Sequence, residues 1–124
     1  LIKLSDWKKT SDIAKKIALS LVSSNEFELM TSVAQLSDSK KEFSSMLKIF
    51  SSILRDVMIL LAKDSVADAN DCAKILSEKL SMKQVLNLIH VIYCTKDYVE
   101  KNVNLSNVTT FFCSNLFKIS NRNL

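Results

Sequence analysis

Apolar residues recur along this chain at three- and four-residue intervals, the spacing of amphipathic helices, rather than at the alternating positions of half-buried strands. Six segments carry the pattern. The first, about residues 6–23, sets Trp7, Ala14, Ile17, Ala18 and Leu21 on one stripe. Ser24-Asn25 breaks it, and Asn25 followed by Glu28 opens a short second helix to about residue 36, with Phe27, Met30, Val33 and Ala34 as its apolar face. Ser39 followed by Glu42 repeats the capping pattern and starts the longest segment, about residues 40–63, roughly 36 Å at 1.5 Å per residue. That segment is apolar around much of its circumference, which predicts a central helix touched by several neighbours.

Residues 64–70 form a polar connection. A fourth helix follows at about 71–80, with Cys72, Ile75, Leu76 and Leu80 in phase. Ser81 with Gln84 caps a fifth, to about residue 101, expected to bury Val85, Leu88, Ile89 and Ile92 and to include Tyr93 and Val99 in that face. Asn102-Val103-Asn104 turns the chain into a sixth helix, about 105–119, with Leu105, Val108, Phe111, Phe112, Leu116 and Ile119 on its stripe. Composition sharpens the reading: the chain has neither glycine nor proline. Hairpins lean on glycine, which argues against a multi-stranded sheet, and asparagine is left to serve the turns. The prediction is a single all-α bundle of about six helices spanning residues 1–124, with a long central helix at about 40–63.

The chain opens at Leu1 without an apolar leader, which reads as a piece of a longer polypeptide. Its longest uninterrupted apolar stretch is residues 57–62, far below the ~20 residues of a membrane span, so a soluble protein with no membrane partner is expected. Cys72, Cys94 and Cys113 are too far apart for a zinc site and odd in number, which points to reduced, buried thiols in a cytosolic protein.

Few residues offer chemistry. With no glycine there is no phosphate-binding loop, and His90 is the sole histidine. Asp64, Asp68 and Asp71 lack the ligand spacing of a calcium loop. No catalytic, cofactor or metal residues are assigned, and this piece is not expected to be an enzyme. The net charge of +4 is concentrated early, where Lys3, Lys8, Lys9, Lys15 and Lys16 face only Asp6 and Asp12. Lys8, Lys9, Lys15 and Lys16 form a candidate basic contact face for nucleic acid, although a solvated helix face is the commoner meaning of such a run.

Two polar interruptions stand out: Arg55-Asp56 inside the most apolar helix, and Asn102-Val103-Asn104 between the last two. A charge in a low-dielectric surround costs several kcal/mol unless partnered. Arg55 is therefore expected to be buried and to reach Asn102, Asn104 or carbonyls beside them, with Asp56 on the helix surface or capping a neighbour. These motifs also carry a resemblance. FSSMLKIFSSILRDVMILLAK at residues 43–63 resembles the central helix of the C-terminal domain of the delta-prime subunit of the bacterial DNA polymerase III clamp loader, which has the same Leu-Arg-Asp core. Phe27-Glu28-Leu29 and the Asn-Val-Asn elbow with its flanking helices are similar as well, so the likeness covers about residues 6–119. The gamma/tau subunit has an equivalent domain. Asp64-Ser65-Val66-Ala67-Asp68 departs from the small residues or glycine that the family often has in that loop. The resemblance implies a helical collar domain, cytoplasmic, that oligomerises with other clamp-loader subunits during DNA replication. Contact with DNA would be indirect or weak, and the ATP-using AAA+ modules would lie elsewhere in the polypeptide.

Overall fold

The computed structural model describes residues 4–23, 25–36, 39–63 and 71–121. Every element among them is helical: α1 (Leu4–Ser23), α2 (Glu26–Ala34), α3 (Lys40–Lys63), α4 (Asp71–Lys79), α5 (Met82–Glu100) and α6 (Leu105–Ser120). The expected polar connection at 64–70 lies outside the described residues, as does the side chain of Trp7.

The helix starts follow the capping chemistry. The Glu28 amide donates to Asn25 Oδ1 at 3.0 Å and the Glu42 amide to Ser39 Oγ at 3.2 Å. At α5 the box is reciprocal, Gln84 N donating to Ser81 Oγ and Ser81 N to Gln84 Oε1. Each such cap is worth on the order of 1 kcal/mol, because it satisfies amides that have no partner within the helix.

The turn between α5 and α6 is also built from side-chain chemistry. Asn102 has φ of 60°, the left-handed region, and is the only such residue among those described. Its amide bonds Val99 O at 3.1 Å, and the Val103 amide bonds Tyr98 O at 3.1 Å, the paired closure of a Schellman motif. Asparagine takes the place that glycine usually fills, its short amide tolerating left-handed backbone better than most side chains. Two residues on, Asn104 Oδ1 accepts from the amides of Ser106 and Asn107 and so caps α6.

Packing centres on α3, which α1, α4 and α5 touch directly. Its Phe43, Met46, Leu47, Phe50, Ile53, Leu54 and Val57 are all buried. From α6, Phe112 meets the rings of Phe43 and Phe50 edge-on, at centroid distances of 5.7 and 6.1 Å. Burying each such side chain contributes about 1.5–3 kcal/mol relative to exposure. α6 packs on α5, and Gln84 Nε2 donates to Ile119 O at 3.1 Å, tying the start of one helix to the end of the other. α2 bridges α1 and α6.

Three faces differ from expectation, the smallest departure being on α4, where Ile75 is 40% exposed and Ala73 is buried beside Cys72 and Leu76. On α2 the buried residues are Leu29, Ser32 and Val33, continued by Leu36 beyond its end, whereas Phe27 is 79% exposed and Met30 53%. This nine-residue helix carries apolar side chains on two stripes, and its docking against α1 and α6 decides between them. On α5, Val91 and Thr95 join the core, Ile89 is half-buried and Tyr93 turns outward. Thr95 is accommodated because its hydroxyl donates to Val91 O at 2.7 Å.

Candidate functional site, a cationic groove between α3 and α5

The α3 sequence contains a short heptad repeat: a basic residue, a variable one, an aromatic one, Ser-Ser, an apolar residue and Leu. It reads Lys41-Glu42-Phe43-Ser44-Ser45-Met46-Leu47, then Lys48-Ile49-Phe50-Ser51-Ser52-Ile53-Leu54, then Arg55-Asp56-Val57 without serines. Phe43, Phe50 and Val57 share one phase and are fully buried. Lys41, Lys48 and Arg55, two positions earlier in each unit, stand about 200° around the helix and are exposed. The repeat thus turns a basic, hydroxylated stripe outward while it turns the aromatic stripe inward.

Arg55 therefore corrects the sequence expectation. It is exposed rather than buried, and it forms no hydrogen bond or ion pair among the described residues. The contact made by the Asn102 side chain comes instead from the start of α3: Lys40 Nζ donates to Asn102 Oδ1 at 2.6 Å. Arg55 stands fifteen residues further along α3, about 22 Å at 1.5 Å per residue. Heptad phase, not the apolar neighbours in sequence, fixes where its guanidinium goes. Asp56 is half-buried.

α5 runs antiparallel to α3, its end meeting Lys40, and leaves a groove of about 340 Å³ beside it. Leu47, Ile89 and Ile92 line its apolar base, and Lys48, Arg55 and Lys96 supply three cations. Ser51, Ser52 and Tyr93 complete the lining. Tyr93 is 73% exposed, and among the described residues no carboxylate lines the groove. Asp97, one residue from Lys96, is engaged elsewhere, its carboxylate 3.0 Å from Lys101 Nζ.

The other sequence candidates are dispersed. Lys8, Lys9, Lys15 and Lys16 are all exposed on α1. His90 is exposed on α5, with its Nε2 3.6 Å from the Sγ of half-buried Cys94. Cys72 and Cys113 are buried, and Cys94 is thus the one thiol that departs from the expected burial. Burial pushes the Cys113 thiol up to about 11 and raises that of Cys72, an effect that Lys15 opposes. Among the described residues no group of three or more His, Cys, Asp or Glu side chains is arranged to hold a metal ion. None of the described helices is long and apolar enough to cross a membrane.

A second groove, about 460 Å³, lies between α2 and α6, where Met30, Val33 and Cys113 meet Thr109, Thr110 and Ser114. The hydroxyls of Thr109 and Thr110 both donate to Ser106 O on their own helix. Only the α3 side of the first groove was legible in the sequence, as the seven-residue recurrence of Lys41, Lys48 and Arg55.

The fold class is an all-α bundle. No family model matches the chain, and neither the curated proteins nor the solved structures compared with it provide a match.

Proposed function

We propose that this chain is a collar-type helical domain of a DNA polymerase III clamp-loader subunit of the delta-prime kind. In this reading it is a cytoplasmic element that joins partner subunits and has no active site of its own. The observation that carries the reading is the Asn102-Val103-Asn104 elbow: each asparagine of the motif has a separate backbone task there, one in the left-handed turn and one at the α6 cap. The Leu-Arg-Asp motif lies in α3, the longest helix, which α1, α4 and α5 touch directly, in keeping with the central helix of the resembling family. An Arg55–Asn tether forms no part of the support. Phe27 and Met30 are large apolar side chains left exposed together on α2, which offers apolar surface to a protein partner.

The test is reconstitution of the chain with the other clamp-loader subunits of its source. Co-elution as one complex supports the collar reading, and a chain that elutes alone from an otherwise assembled loader rejects it. The gamma/tau equivalent separates from delta-prime by whether the chain fills the delta-prime position or competes for the gamma/tau positions. The rival module, contacting DNA through Lys8, Lys9, Lys15 and Lys16, requires duplex or primed-DNA binding that those four lysines alone control.

A further inference from the structure

We infer that the α3–α5 groove binds a single strand of nucleic acid, its phosphates along the α3 cations and a base on Tyr93. The inference stands apart from the collar reading, because it rests on the composition and geometry of one surface.

Three observations converge. Among the described residues, Lys48, Arg55 and Lys96 border one groove with no carboxylate in its lining, and Arg55 has no ion-pair or hydrogen-bond partner. Five donors of a planar guanidinium left free in a groove suit phosphate oxygens. Second, the stripe continues beyond the groove: Lys41 is exposed in the same heptad phase, so the basic track from Lys41 to Arg55 runs about 21 Å along α3. That exceeds what one small anion occupies and suits a short stretch of polymer, with Ser51 and Ser52 as additional donors to the backbone. Third, Tyr93 stands in the lining with 73% of its surface exposed, a flat ring next to cations. A basic groove with an aromatic platform is the arrangement that tracks single strands, the cations following the backbone while the ring stacks a base.

The ring selects one strand over two, because the bases of a duplex are stacked on one another and offer no free face to Tyr93. An acidic protein segment would match the cations as well, yet it would leave Tyr93 without a planar partner.

The experiment is a fluorescence-anisotropy titration of labelled oligothymidylate with the chain at 50 and 200 mM salt. Four cations, Lys41, Lys48, Arg55 and Lys96, at about 0.7 each give a salt slope near −2.8, or about 50-fold weaker binding at the higher salt. Arg55→Gln reduces the slope by about 0.7. Tyr93→Leu weakens binding at least about fivefold at both salts and leaves the slope unchanged. The pair Lys8→Gln and Lys9→Gln on α1 changes neither. Both groove positions are exposed, and helical circular dichroism checks that the variants keep the fold. Absence of binding at 50 mM salt overturns the inference, as does an Arg55→Gln slope equal to that of the parent. Displacement of the strand by oligoglutamate of equal charge at equal concentration assigns the groove to an acidic protein segment instead. Tighter binding of duplex than of single strand also rejects it.

Discussion

Arg55-Asp56 and Asn102-Val103-Asn104 look alike in the sequence, since both set polar residues where apolar ones dominate. Their structural meanings are opposite. At the elbow the polar groups are consumed by the backbone: Asn102 supplies the left-handed residue that ends α5, and Asn104 caps two amides of α6. At Arg55 the helix continues undisturbed, and the side chain simply follows its phase outward. A polar residue at a helix end has a local task that its neighbours reveal. One inside a long helix has a meaning set by which way it faces, and a burial cost arises only if it faces the core.

The largest effect sets the scale: Phe112→Ala removes the α6 ring that meets both Phe43 and Phe50, and should lower stability to urea by about 3–5 kcal/mol. Asn102→Val forces a β-branched side chain into left-handed backbone and should cost about 1–2 kcal/mol, whereas Asn102→Gly should preserve the turn. Equal losses for valine and glycine would contradict the role assigned to φ. Asn104→Ala, which leaves the α6 amides uncapped, should cost about 1 kcal/mol. Arg55→Ala should stay within about 0.5 kcal/mol of the parent, as exposed positions do. A loss of several kcal/mol there would restore the buried tether and reverse the contrast.

The thiols sharpen the same distinction between inward and outward positions. Burial raises Cys113 from 9.0 to about 11, so the folded state holds its proton more tightly than the unfolded chain does. Its contribution to stability is present in full below about pH 9 and is lost as pH rises through about 11. Urea midpoints measured from pH 8 to 11 should fall over that window, and less steeply in Cys113→Ala. At neutral pH an aromatic disulfide reagent should label Cys94 well before Cys72 or Cys113, because only Cys94 is partly open to solvent.

Much of the fold was readable because it is governed by neighbours in sequence. The caps at Asn25, Ser39 and Ser81 fixed where helices begin to within about two residues, and the bounds of α3 agree with the expected 40–63. The failures occur where two stripes compete. In α2, Phe27 and Met30 are as well spaced for a helix face as Leu29, Val33 and Leu36, and periodicity has no means to rank them. In α5 the core stripe is rotated toward Val91 and Thr95, which releases Tyr93 to the groove. The groove itself combines Lys48, Ser51, Ser52 and Arg55 of α3 with Tyr93 and Lys96 of α5, residues that no local pattern joins.

By itself, then, the order of residues determined that the described residues form six helices, where the capped ones α2, α3, α5 and α6 begin, and which asparagines make the final turn. Those outcomes depend on hydrogen bonds spanning three or four residues and on backbone preferences of single side chains. Tertiary packing alone decided which faces of α2 and α5 were buried, that Lys40 rather than Arg55 meets Asn102, and that three cations and a tyrosine share one cleft. The physical reason is range: capping energies are local, whereas burial depends on which neighbour a helix docks against, and that is a property of the assembled bundle.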